Sequence, residues 1–296
     1  MRLLLQIILC VFALNVHAED QVGENINSSS IDFENYQPRA FGITFFNLAG
    51  YSDQQFRQSD PSFTVYDSFI SFNYKVNRDF RIGARPAFGY TTSGVNFKGD
   101  QVGDRMVTRD FSFVAKFLNI LEDQIPAALD LSNQFRLYLP SSDASKNQGM
   151  IARLRSEMQA VYHISRGVEV RYYAKPSYYF QRTNSYAFYY PDSPNKPVAR
   201  TTPFMDLEHG GEVSFDLNRY FALHPAFEFQ ESWSNTSAAE NLGQYRTTSL
   251  RTGIGLEIAP SRDLNFILSI QSTQDLIRTD VTPETGYVLM TNAALF

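Results

Sequence analysis

The chain has 296 residues, with 26 basic residues against 31 acidic and a formal charge of −5. That balance excludes a general nucleic-acid binder, which needs surplus Lys and Arg to displace counterions from phosphates. Mean hydropathy is only −0.28, yet 15% of residues are aromatic, mostly 25 Phe and 17 Tyr with a single Trp.

Arg2 opens the run LLLQIILCVFALNV, which is followed by Val16-His17-Ala18 and then Glu19-Asp20. A charged start, an apolar run and a small-residue cleavage site predict a secretory signal peptide over 1–18. Cys10 lies inside the apolar run and is preceded by Leu, which speaks against a lipoprotein. It leaves with the leader, so the mature chain has no cysteine for disulfides or thiolate metal sites. Loss of Arg2 leaves 25 basic residues against 31 acidic. Beyond the leader no run approaches 18 apolar residues, so no transmembrane helix is expected. An exported, cysteine-free chain rich in Phe and Tyr fits either an exported all-β protein or an outer-membrane barrel.

Residues 19–38 (EDQVGENINSSSIDFENYQP) are polar and without periodicity, which predicts a mobile periplasmic tail; whether it enters a lumen stays open. From Arg39 onward, period-2 segments of about ten residues follow one another, the length a tilted membrane strand requires. Strands are expected at 39–51, 63–76, 80–91, 106–118, 127–139, 150–163, 168–181, 204–216, 220–233, 245–258, 264–274 and 285–296. That is an all-β chain of twelve strands. Connections after the second, sixth, eighth and tenth strands are short, and they share Asn77-Arg78, Ser165-Arg166, Asn218-Arg219 and Ser261-Arg262. The fourth (NILEDQIP) is longer than these. Connections after odd strands are longer still, such as TTSGVNFKGDQVGDR, PSSDASKNQG and RTNSYAFYYPDSPNKPVARTTP. Sorting by length predicts a transmembrane antiparallel up-and-down β-barrel, residues 39–296, with both termini periplasmic. Three strands repeat a basic residue, Pro, a small residue and an aromatic: RPAFGY, KPSYYF and HPAFEF. Proline cannot donate to a ladder, so a bulge or a missing ladder bond is expected at Pro86, Pro176 and Pro225.

The chain stops at YVLMTNAALF. Phe296, with Ala294, Met290 and Val288 at alternate upstream positions, resembles the C-terminal assembly signal of bacterial outer-membrane β-barrel proteins. Asn292 departs from that pattern, and Ala294 stands where an aromatic is more usual. The resemblance covers general architecture over 39–296. It implies residence in the bacterial outer membrane, recognition of Phe296 by the barrel-assembly machinery, and a wall surrounded by outer-membrane lipid and lipopolysaccharide.

The stretch GVEVRYYAKPSYYFQR (167–182) shows the two faces that such a wall needs. Val168, Val170, Tyr172, Ala174, Pro176, Tyr178 and Phe180 share one parity; Glu169, Arg171, Lys175, Ser177 and Gln181 share the other. Only a closed barrel satisfies strand backbones in hydrocarbon. Arg or Lys at the lipid midplane costs about 2–4 kcal/mol, so the charged parity is assigned to the lumen. Aromatics near strand ends (Phe80, Tyr90, Phe117, Tyr162, Phe204, Phe221, Trp233, Tyr245, Phe296) are expected to form the girdles.

The expected pore lining is segregated by charge. Arg81, Arg85, Lys116, Arg136, Arg153, Arg155, Arg171 and Lys175 form a basic arc, diluted by Asp110, Asp130, Glu157 and Glu169. Asp206, Glu208, Glu212, Asp216, Glu228 and Glu257 form an acidic arc, with Arg251 the exception. Opposed arcs would set a transverse field across a narrow passive channel for small polar or charged solutes. Twelve strands about 4.8 Å apart and tilted about 40° give a backbone radius of roughly 12 Å. Long side chains could fill that space, which leaves open a filled barrel acting through its surface loops, with Tyr186, Phe188, Tyr189 and Tyr190 at its partner face.

A lipid hydrolase is the enzymatic alternative, and it needs a His–Ser pair at the depth of the lipid ester. His163-Ile164-Ser165 has alternate spacing but abuts a periplasmic turn. His209 falls on the lipid parity without an evident Ser, and His224 faces the lumen beside Glu228. No catalytic residue is expected. Asp206, Glu208 and Glu212 share a face that could hold a hard cation, but arginines on neighbouring strands compete; no metal and no other cofactor is expected. Arg109 and Arg246 on the lipid parity could contact lipopolysaccharide phosphates or simply snorkel to the headgroups.

Overall fold

The computed structural model describes residues 40–295 other than 54–56, 58–59, 96–100, 122–125, 191–192, 236–245 and 278–281. Residues 1–18 and 19–38, where a leader and a tail are expected, Tyr245 and the terminal Phe296 lie outside the described residues. The strands are β1 (Phe41–Ser52), β2 (Thr64–Lys75), β3 (Phe80–Arg85), β4 (Ala87–Thr91), β5 (Gly94–Val95), β6 (Gln101–Val102), β7 (Arg105–Thr108), β8 (Phe111–Phe117) and β9 (Leu129–Leu139). A short helix, α1 (Asp143–Asn147), precedes β10 (Met150–Ser165), β11 (Val168–Gln181), β12 (Ser185–Tyr190), β13 (Ser193–Thr201) and β14 (Pro203–Asn218). The chain ends with β15 (Phe221–Ser234), β16 (Arg246–Ser261), β17 (Leu264–Asp275) and β18 (Glu284–Ala294). No helix among the described residues is long and apolar enough to cross a membrane.

One antiparallel sheet contains fourteen of these strands, in the order β1-β18-β17-β16-β15-β14-β11-β10-β9-β8-β3-β2-β4-β7, and β1 also pairs with β2. That last pairing closes a ring of strands into a barrel, from which β4 and β7 branch off beside β2. Alternation then separates an outside from an inside. Tyr172 is 51% exposed while its neighbour Arg171 is 4% exposed. Phe113, Phe135, Leu154, Tyr178 and Ile254 continue the exposed apolar belt around the wall.

The count differs from the expected twelve, and the reason is local. The segments expected as single strands at 80–91 and 106–118 each appear as two. Pro86 separates β3 from β4. Across from it, Arg85 pairs with Ser112 while Phe88 pairs with Thr108, so residues 86–87 face residues 109–111. Two residues opposite three make a bulge, which splits β7 from β8 and resets the alternation by one. Met106 and Phe113, an odd number of residues apart, are accordingly both exposed.

The other two prolines leave gaps of the expected kind. The β10–β11 register runs from Arg155↔Ser177 to Met158↔Ala174 and skips Pro176, which pairs with Leu207 on its other side. The β14–β15 register runs from Glu212↔Ala226 to Phe215↔Leu223 and skips Pro225, which pairs with Ile254. Each proline sits where its missing N–H removes one ladder bond without changing register.

At one end of the barrel the connections are tight. Asn77 accepts the backbone N–H groups of Asp79 (2.9 Å) and Phe80 (2.8 Å). Gly167 takes φ +87° in the turn between β10 and β11, a conformation that favours glycine. At the other end the long connections carry structure of their own, where the sequence suggested loops. β5 pairs with β6, and β12 with β13. Ser142 caps α1 by accepting from Ser145 N (3.2 Å), and Asp110 accepts Ser142 N (3.0 Å).

Candidate pore lining

The inner wall is built from the charged parities of β9, β10, β11, β14, β15 and β16. Arg155 on β10 donates both terminal nitrogens to Glu208 on β14, at 3.0 and 2.8 Å. Lys175 on β11 stands 3.7 Å from Glu208 and 3.6 Å from Glu228 on β15, which also accepts from Arg251 on β16 (3.0 Å) and from Tyr173 (3.0 Å). A second row lies nearer the short-turn end. Arg171 donates to Glu212 (3.0 Å), and His224 sits between Glu212 (2.9 Å) and Glu257 (2.8 Å). Asn265 and Asn292 carry that row on to β17 and β18. His224 therefore partners Glu212 and Glu257 rather than Glu228.

The expected arcs meet and interlock at the β11–β14 seam. Each of these ion pairs joins strands that are neighbours, or neighbours but one, in the sheet. The charges are satisfied along the wall.

The basic side has a different character, and aromatic rings supply it. Arg153 lies 3.6 Å over the Tyr138 ring and donates to Tyr179 Oη (3.3 Å), which in turn donates to Asp206. Arg136 donates to Tyr138 Oη (2.9 Å) and pairs with Glu157 (3.1 Å). Arg85 is buried, with Nε donating to Ser71 (3.0 Å) and Nη2 to Gln134 (3.0 Å), and it stacks 4.8 Å from Phe69, which stacks on Phe46. Guanidinium over a ring face is an attractive arrangement that keeps a cation in place without neutralising it.

Glu157 has a larger role than dilution: it binds Arg136 and Gln134 and stands 3.0 Å from Arg155. Tyr138 and Tyr179 were missed as lining groups, although each shares the parity of a charged neighbour (Arg136, Lys175). Arg81 pairs in register with both Lys75 and Lys116, gathering three cations at the short-turn end. Asp216 packs against Gly167 at a turn.

Elsewhere the placements are plain. Asp206, Glu208 and Glu212 each engage their own donors, and no group of three metal-ligating side chains occurs among the described residues. His163 bridges Asp130 (2.8 Å) and Glu169 (3.0 Å) at the end of β10. His209 meets Tyr172 (3.1 Å) and Glu231 (4.0 Å), neither of which supplies the serine that a lipid hydrolase uses. Arg109 follows β7. It is exposed at the bulge, its N–H donating to Ala87 O (2.9 Å) and its guanidinium lying beside Gly89. Arg246 lies at the end of β16, bonded to Glu231.

No family model and no curated protein matches this chain. Among solved structures it is similar to an outer membrane channel from Pseudomonas putida F1, at 10% identity over 90% of this chain and 100% of that one, with a TM-score of 0.55. The likeness is one of fold, a closed antiparallel β-barrel. Further similar structures are the KdgM porin (8% identity, 86% and 99% covered, TM-score 0.47) and the NanC porin (8%, 84% and 98%, TM-score 0.44).

Proposed function

We propose that this protein is a narrow passive channel of the bacterial outer membrane for small charged solutes, preferring anions. In this reading the fourteen strands make twelve passes through the membrane, two of them interrupted at the paired break. The observation that carries the reading is how the inner charges are satisfied. Ion pairs run along the wall between near strands, an arrangement that supports a bore open to water and solute. The glutamates of one side are held by Arg155, Arg171, Lys175, His224 and Arg251. On the other side Arg153 is held by two tyrosines and shares Asp67 with Arg136 and Arg155, three cations to one carboxylate, which favours a positive potential toward the bore there. No chemical step is implied.

Purified protein in planar bilayers should give discrete conductance steps and a reversal potential on the chloride side in a KCl gradient. Two unit charges 4 Å apart interact by about 1 kcal/mol in water. Arg153→Ala should therefore lower the chloride-to-potassium permeability ratio roughly fivefold, since about 1.4 kcal/mol is tenfold. Absence of steps from folded protein would favour the filled barrel instead.

A further inference from the structure

The outward parity of β11, β14, β15 and β16 breaks its own rule. At successive levels down the outer wall stand Trp233 beside Arg246, then Glu231, then His209, then Tyr172. Trp233 and Arg246 are register partners near the long-connection end, with the guanidinium 5.5 Å from the indole ring. Arg246 bonds Glu231, whose carboxylate stands 4.0 Å from His209 Nε2; His209 Nδ1 is 3.1 Å from Tyr172 Oη. His209 pairs in register with Phe229, and Tyr172 with Gly211 one level further in. Two residues along a tilted strand descend about 5 Å, so His209 lies about 10 Å below Trp233.

Ionisable groups at that depth mark a functional site, because hydrocarbon offers them nothing. We propose that this ladder is a binding site for one lipopolysaccharide molecule of the outer leaflet. Arg246, half exposed beside the interfacial tryptophan, would take a phosphate through its planar donor fork. His209 and Tyr172 would take hydroxyl or ester oxygens of the acyl chains below it. Glu231, between Arg246 and His209, would repel a second anion at that depth, which suits neutral oxygens beneath an anionic head.

Shape favours a lipid over a second barrel. The polar ladder is one side chain wide and descends stepwise across β16, β15, β14 and β11. Its flanks are apolar: Leu207 and Val213 on β14, Phe227 and Phe229 on β15, Leu250 and Ile254 on β16. A stable protein interface needs a broad complementary patch of about 800 Å² on each partner.

Trp233 is the chain's only tryptophan, so the site carries its own reporter. Full-length protein purified free of lipopolysaccharide is titrated in detergent with a deep-rough lipopolysaccharide while Trp233 emission is recorded. A parallel arm uses phosphatidylglycerol, and native mass spectrometry counts bound lipid and protein copies. A saturable change with one lipopolysaccharide per barrel is expected, weakened at least tenfold by His209→Ala and by Arg246→Leu, with no saturation by phosphatidylglycerol. Each variant is first shown to be folded by its heat-modifiable gel mobility. Equal response to phosphatidylglycerol, affinity unchanged in both variants, or a protein dimer in place of the lipid adduct would overturn the proposal. Conductance plays no part in the readout, so the site and the channel stand or fall separately.

Discussion

Glu208→Ala should both destabilise the barrel and push its ion preference further toward anions. Glu208 receives two hydrogen bonds from Arg155 and lies 3.7 Å from Lys175. It is held between two cations on a wall where water is scarce: Arg155 and Glu208 side chains are 15% and 21% exposed. Removing one member of such a pair leaves the other charge uncompensated, which costs about 3 kcal/mol or more. Glu157 remains near Arg155, but at ion-pair distance only, without the two-pronged geometry. The melting temperature in detergent should fall by several degrees. The reversal potential in a KCl gradient should move toward chloride, opposite in sign to Arg153→Ala. Glu208→Gln keeps the side-chain shape and one acceptor, so it should recover part of the stability and none of the selectivity. Equal selectivity in Gln and wild type would show that solute does not pass this ring.

How much of this could be read beforehand depended on which interaction decided each feature. Alternation decided the wall, and alternation is visible in a single strand such as 167–182. The proline gaps were legible for the same reason: a missing N–H is a property of the residue, so Pro176 and Pro225 announced their broken ladder bonds. The split of 106–118 was not legible, because the extra residue at 109–111 exists only relative to its partner strand. The β12–β13 hairpin hid inside a connection whose Pro191, Pro194 and Pro197 look like loop punctuation. Among the inner-wall charges the residue types and faces followed from parity, while partners did not. Arg155 reaches over β11 to Glu208, and His224 chooses Glu212 and Glu257, because tilt and stagger set those distances. The outer ladder at His209 was visible only as an exception to parity; Glu231 and Tyr172 joined it through register.

Gly210→Ala should abolish folding of most of the protein, although it adds a single methyl group. A Cβ at this position would lie 2.1 Å from Phe227 O and 2.8 Å from Glu228 Cα, both backbone atoms of the neighbouring strand. Backbone cannot rotate aside as a side chain can, so β14 and β15 would have to part. A closed sheet has no edge at which to relax that displacement. Overpacking of a tight interior costs about 1–3 kcal/mol where neighbours can shift, and more here because they cannot. Its neighbour makes the contrast. A Cβ on Gly211 would meet the Phe227 ring at 2.9 Å, and a ring can swing outward toward lipid, so Gly211→Ala should reduce the folded yield only modestly. Gly103→Ala meets nothing within 4 Å and should behave as wild type. The compact band of unheated protein on a denaturing gel reads all three. The order has a functional consequence as well. Gly210 is the register partner of Glu228, which holds Lys175 and Arg251. Whatever Gly210→Ala protein does fold should show that junction loosened, as noisy, poorly selective conductance steps. If Gly210→Ala folds as well as Gly103→Ala, then β14 and β15 do not approach each other this closely, and the charge row that depends on their spacing loses its frame.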